Sequence, residues 1–369
     1  MSSNGGKTHT RDIFFFIVAC GLIFVFIEGL SSTLLFAGKV WSQWRSPVPE
    51  RVHTRYDAEL GWVAVPNLYI DDLYGPGIYL RTNSQGFRNN EDFHVEVPPN
   101  RIRIICSGDS FTLGWGVNHD QNWCQLLESF DARLQTVNMG QSGYGIDQAY
   151  LWYLREGTPL EHQVQLFAFI TDDFNRMRRS NFVGYDKPIL KLHNGNLITE
   201  NIPVPRRAYY VPWLSQNLHL FGELRSIELP SKFANKFMPW YKDIAELKDE
   251  ETYEIALKMF ERLNELNKKK NSLLVLVYLP SGKDYESNAS SNRWRKFLRS
   301  ETIRHQISFI DLFDDLQQLS SSEVEKMFLR QKAFPHYHYS VEGNEYFAKK
   351  LYNRLTSIAV VSTKLPNDS

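Results

Sequence analysis

Residues 101–108 read RIRIICSG and run directly into Asp109, Ser110, Phe111, Thr112, Leu113, Gly114, Trp115 and Gly116. A short apolar run built on isoleucine and ending at Gly-Asp-Ser predicts a buried strand that stops at a tight turn. The turn leaves one hydroxyl, that of Ser110, at the carboxyl edge of a sheet, where open α/β sheets place their reactive groups. Outward from this point the strand-then-helix rhythm continues. Runs at 103–107, 135–138, 164–170, 273–279 and 308–312 are short, mostly β-branched and unalternating, as parallel strands covered on both faces should be. Tyr253, Leu257, Phe260, Leu263 and Leu266 recur at helical spacing within 251–269. A last helix begins near Ser340, a favourable N-cap, and carries Phe347, Leu351 and Leu355 on one face.

The chain has 369 residues, 43% of them hydrophobic, enough for a sizeable core. Formal net charge is zero, so nothing global points to nucleic acid, and no nucleic-acid partner is expected. Aromatic residues, at 14%, fit either a thick core or a surface that faces sugar or lipid. The cysteines are Cys20, Cys106 and Cys124. The simpler reading makes them buried small hydrophobes; a Cys106–Cys124 disulfide is the other. No Cys/His spacing resembles a zinc site, and neither a metal nor a cofactor is expected.

Residues 13–27 are uncharged and strongly apolar, and 30–36 extend the run beyond Glu28. Together they can span a bilayer, which needs roughly 20 residues. Trp41 and Trp44 follow with Lys39 and Arg45, as an interfacial belt would. A cleaved signal peptide is the alternative, but no small-residue cleavage site follows. Lys7 and Arg11 precede the span while Lys39, Arg45 and Arg51 follow it, so the positive-inside count is indecisive. A large domain behind an N-terminal anchor favours a position outside the cytoplasm. Glu28 is costly at mid-bilayer, so an interfacial position or a partner helix is expected for it.

The expected organisation is a polar N-terminus (1–12), a transmembrane anchor (13–37), a juxtamembrane β-rich region (38–100), a main domain (101–355) and a tail (356–369). An insertion at about 180–250 interrupts the main domain. Asn194-Gly195-Asn196 predicts a hairpin there, and Tyr209, Tyr210, Trp213, Phe237, Trp240 and Tyr241 follow. These aromatics make either a lid or the insertion's own small core. The fold class expected is a flavodoxin-like three-layer α/β/α sandwich with a parallel sheet, preceded by one N-terminal transmembrane helix.

Two further segments give Gly-Asp-Ser a context. Residues 138–145, NMGQSGYG, follow the second strand, so their glycines reach the same sheet edge. His338-Tyr339-Ser340-Val341-Glu342-Gly343 precedes the last helix. Serine, then glycine loop, then late histidine resembles the SGNH (GDSL-type) hydrolase superfamily over about 101–355, with the insertion unmatched. Tyr56 to Trp62 and NSQGFR at 83–88 also resemble the leader of membrane-anchored bacterial members. The resemblance implies Ser110 as nucleophile, and His338 as the base that deprotonates it and later protonates the leaving group. It implies the backbone N–H groups of Ser110 and Gly140 as oxyanion-hole donors. A serine hydroxyl needs such a base within hydrogen-bond reach, and the tetrahedral intermediate needs donors aimed at its oxygen.

Two positions depart from the family pattern. Asp172 stands where the third motif offers an asparagine donor. Pro335 stands where the acid usually precedes the histidine by three residues. Asp172 or Asp173 is therefore a candidate for a relocated acid or an altered oxyanion position, since triads are recognised by geometry. His336 is an alternative base and Ser142 an alternative nucleophile, while Asp109 reads as a turn-stabilising residue. Three functions follow: a serine esterase acting on acyl esters of a glycan or lipid through an acyl-enzyme, an O-acyltransferase of exopolysaccharide modification, or a degenerate module that binds a glycan or a protein.

Overall fold

The computed structural model describes residues 5–45, 53–182, 185–204, 224–227, 229–230, 233, 249–286, 289–329 and 337–358. The core is a five-stranded sheet of β1 (Ile102–Ser107), β2 (Leu134–Asn138), β3 (Val164–Phe169), β4 (Leu273–Tyr278) and β5 (Ser308–Asp311). All pairs are parallel and the order is β2-β1-β3-β4-β5. This is the doubly wound flavodoxin-like order, with its switch point between β1 and β3. Each strand lies within two residues of its sequence expectation. Every residue of β3 is buried, as a central parallel strand requires.

The chain's helices include α1 (Gly5–Arg45), α2 (Ser110–Leu113), α3 (Trp123–Phe130), α4 (Ile146–Trp152), α5 (Thr171–Met177), α6 (Asp249–Lys269), α7 (Ala289–Arg304) and α8 (Val341–Ser357). In the main unit α3 packs on α8 and β2, α4 on α5 and α6, and α7 on α5 and β5, which makes the three-layer sandwich. The buried face of α6 is centred on Ile255, Ala256, Met259, Phe260 and Leu263. Tyr253, Leu257 and Leu266, expected on that face, lie half-buried at its edge. Hydropathy hid the true face because it includes Asn267, whose side-chain amide donates to Gln165 Oε1 at 2.6 Å and to the Leu263 carbonyl at 2.9 Å. A buried polar group is tolerated when so satisfied.

Two compact units divide the chain: Met1–Pro49 with Pro205–Ile244, and Glu50–Val204 with Ala245–Ser369. In the second unit the leader is fastened to the sandwich by two buried arginines. Arg103 donates to the carbonyls of His94, Val95, Glu96 and Glu161 at 2.9–3.0 Å. Arg88 donates to the carbonyls of Leu113, Gly114 and Val117. Its charge thus sits at the C-terminal end of α2, where helix carbonyls favour a cation. The expected hairpin forms between Ile189–His193 and Asn196–Glu200. Its turn residues, Asn194 and Gly195, both take positive φ (52° and 75°), the conformation an Asn-Gly turn supplies. The six aromatics expected beyond the hairpin lie outside the described residues.

Cys106 of β1 and Cys124 of α3 form a disulfide with Cα atoms 6.4 Å apart, where buried thiols were the simpler expectation. Lys187 and Asp147 form an ion pair with both side chains fully buried. The lysine also donates to the carbonyls of Arg179 (3.0 Å) and Pro188 (2.9 Å). Lys187→Met strands the Asp147 carboxylate and is expected to lower stability by about 3–5 kcal/mol. The double variant Lys187→Met/Asp147→Leu should regain most of that loss. Urea unfolding of the full chain in detergent, followed by far-ultraviolet circular dichroism, compares the two.

Candidate active site

The Gly-Asp-Ser turn is built by close backbone approach. β1 ends at Ser107, and a Cβ on the next residue, Gly108, would lie 2.6 Å from the Ala168 carbonyl of β3, so only glycine fits. Asp109 then caps α2, its Oδ1 accepting the Phe111 N–H at 2.8 Å. Its Oδ2 accepts from Arg176 Nη1 at 3.0 Å and lies 3.4 Å from Ser110 Oγ. Asp109 is thus the turn-stabilising residue the sequence suggested. Ser110 opens α2, and its N–H meets no acceptor among the described residues.

Ser110 Oγ lies 2.8 Å from His338 Nε2, across a sequence separation of 228. With Nε2 unprotonated, the hydroxyl donates to it. Both side chains are buried, at 5% and 4% exposure, so little water competes for this bond. The Phe111 ring stacks on the imidazole at 4.5 Å between centroids, and Trp115 lies against it at 5.1 Å. The histidine's own strand segment is fixed on both sides. The His338 carbonyl accepts the Leu329 N–H at 2.8 Å, the Ser340 N–H donates to the Met327 carbonyl at 2.9 Å, and Tyr339 Oη donates to the Pro280 carbonyl at 2.8 Å. Tyr337, just before it, takes φ 75°, a conformation costly for a non-glycine residue.

Gly140 reaches the same edge, but its N–H donates to Asn138 Oδ1 at 3.0 Å. Asn138 in turn donates to the Thr112 carbonyl at 2.8 Å and to Asn122 Oδ1 at 3.2 Å, locking the loop to α2. A Cβ at position 140 would stand 2.1 Å from the Leu113 nitrogen, so the glycine admits the backbone of α2. Ser142 Oγ has a histidine of its own, His53, whose Nε2 lies 3.3 Å away. Burial, and next the Arg88 charge, pushes the His53 imidazole down to about 4. A base that weak takes up few protons near neutrality.

Asp172 and Asp173 open α5 at the switch point, and neither hydrogen-bonds His338. Asp172 is half-buried and pairs with Lys283 Nζ at 2.7 Å. Burial favours its neutral form, but Lys283 outweighs burial and holds the carboxyl below the usual range. Asp173 is buried; its Oδ2 accepts the Ile170 N–H at 3.0 Å and its Oδ1 accepts from Arg176. Burial first, then the neighbouring Asp109 charge, pushes the Asp173 carboxyl well up, against the pull of Arg176. Arg176 Nη1 also donates to the Tyr144 carbonyl at 3.0 Å, so one guanidinium joins the Gly-Asp-Ser turn, the glycine loop and α5. Pro335 and His336 lie outside the described residues. Among the described residues no group of three His, Cys, Asp or Glu side chains is placed to hold a metal ion.

Sequence reasoning missed Arg176, Arg88, Asn138 and His53. A single arginine in a polar helix reads as surface, and nothing local announces a histidine that acts 89 positions away.

No family model matches the chain, and no curated protein matches it. Among solved structures it is similar to a member of the lipolytic protein G-D-S-L family from Veillonella parvula (14% identity, 70% of this chain and 100% of that one, TM-score 0.40). It is also similar to an acetyl xylan esterase (14% identity, 69% and 100% covered, TM-score 0.39). A third is the lipase/acylhydrolase from Enterococcus faecalis (11% identity, 69% and 96% covered, TM-score 0.38). In the order of its motifs, the chain resembles the SGNH hydrolases.

Proposed function

We propose that this chain is an SGNH-type serine esterase that hydrolyses an acyl ester of a glycan or lipid through an acyl-enzyme. The observation that carries this reading is the 2.8 Å approach of Ser110 Oγ to His338 Nε2 in a buried setting. In the first step His338 takes the Ser110 proton as Oγ bonds to the ester carbonyl carbon. The tetrahedral intermediate collapses, the ester C–O bond breaks, and His338 returns the proton to the leaving alcohol. Water, deprotonated by the same imidazole, then releases the acid and restores Ser110. The Ser110 N–H is a free donor for the oxyanion, and the Gly140 N–H becomes a second when it turns from Asn138 Oδ1. Each such donor is worth about 10²–10³ in rate. Asp172, ionised beside Lys283, is an acceptor only and serves the oxyanion no donor. Asp173 acts through Arg176, which grips Asp109 and so fixes the direction of α2.

The anchor and compartment belong to the same reading. Arg11–Leu35 of α1 is 25 residues long, long and apolar enough to cross a membrane. We place the catalytic domain outside the cytoplasm, because a Cys106–Cys124 disulfide persists in an oxidising compartment.

Turnover of p-nitrophenyl acetate by the full chain in detergent, with and without a polysaccharide acceptor, tests the function. Hydrolysis is expected to proceed without acceptor and to leave an added polysaccharide unacetylated. Acetylation of the polysaccharide would assign transfer instead. Absence of turnover across a series of acyl esters would favour the binding module.

A further inference from the structure

Glu28 stands inside the apolar run of α1, and the structure gives it a partner. Its carboxylate accepts the backbone N–H groups of Arg225 and of Ser226, the latter at 2.9 Å. Within Arg11–Leu35 only Glu28, Ser31 and Leu35 are less than exposed. Their spacing of three and four residues marks one helix face near the C-terminal end of the run. Arg225 and Ser226 of the insertion therefore meet that face at Glu28, within the compact unit of Met1–Pro49 with Pro205–Ile244.

The depth follows from the helix. At 1.5 Å per residue, Glu28 lies about 10 Å along the axis from Leu35. Whatever bonds Glu28 lies at that depth too. A carboxylate there is expensive unless hydrogen-bonded, and so is an unpaired backbone N–H. The two needs answer each other. Phe233, also of the insertion, is 61% exposed, an apolar surface that lipid would stabilise.

We propose that Arg225, Ser226 and Phe233 of the insertion are seated in the acyl-headgroup boundary of a phospholipid bilayer, with Arg225 and Ser226 docked on α1 through Glu28. The protein then meets lipid through two chain segments rather than one. This rests on the reading of α1 as a membrane span, and the native Cys20, exposed on α1, reports on that reading separately.

The test uses the full chain in opened native-lipid vesicles and a membrane-impermeant maleimide. Phe233→Cys is the probe, and Tyr69→Cys, at a position 58% exposed in the main unit, is the aqueous control. The Tyr69→Cys site is expected to label, with Cys20 and the Phe233→Cys site at least about tenfold slower, because a thiol in apolar surroundings does not ionise. Adding Glu28→Leu is expected to raise labelling at 233 while Cys20 stays protected. Labelling at 233 as fast as at 69 with Cys20 protected overturns the seating and spares the anchor. Labelling of Cys20 itself overturns the anchor and the seating with it. Labelling at 233 that ignores Glu28→Leu overturns docking through Glu28.

Discussion

Ser110→Ala and His338→Ala are each expected to lower kcat for acyl-ester hydrolysis by about 10⁴-fold or more, with the double variant no worse than either single one. The two side chains act as one unit: without the imidazole the hydroxyl keeps its proton, and without the hydroxyl the imidazole has no nucleophile to activate. Their 2.8 Å contact is buried, so bulk water replaces neither partner cheaply. Ser142→Ala is the internal contrast. It removes the other buried Ser–His contact, at 3.3 Å, and should leave kcat within about threefold, because a histidine with a pKa near 4 is a poor base near pH 7. Steady-state kinetics on the four variants, with unfolding midpoints recorded alongside, separates loss of chemistry from loss of fold.

Acid is expected to destabilise the fold well above the usual carboxylate range. Burial, the largest cause in each case, pushes His53, His119 and His162 down from 6.5 to about 4. The Arg88 charge adds to burial at His53 and His119, while bonds to the Leu160 carbonyl and Asn267 partly oppose it at His162. Between pH 6.5 and about 4 the unfolded chain holds protons that the folded chain refuses. Stability is therefore full above the unfolded value and falls as pH drops through that window. With three groups in step the slope approaches about 4 kcal/mol per pH unit. Urea midpoints at pH 7, 6 and 5 should fall together, and His119→Gln should flatten the decline by about a third. A midpoint constant from pH 7 to 5 would show that these imidazoles are not buried neutral.

The sheet was readable in the sequence because each strand is a short apolar run broken by turn residues, and burial on both faces removes the alternation that confuses edge strands. Ser110 and His338 were readable through motif order, which brings distant residues to one edge once the strand order is known. What stayed hidden depends on side-chain partners. Gly140 could be named, but not that Asn138 Oδ1 holds its N–H. Asp172 and Asp173 could be named as an anomaly, but Lys283 and Arg176, which pair with them, stand elsewhere in the fold or read as surface. The buried face of α6 was misplaced because Asn267 looks polar and is buried by its hydrogen bonds. Glu28 was expected at an interface or against a partner helix, and its partners are the backbone N–H groups of Arg225 and Ser226, helical residues some two hundred positions later.

Mass spectrometric mapping of a fluorophosphonate adduct on the full-length protein tests the proposed acyl chemistry most directly. One adduct, on Ser110 and absent from His338→Ala, is expected. An adduct on Ser142, an adduct that survives Ser110→Ala, or no adduct on a folded protein would contradict it.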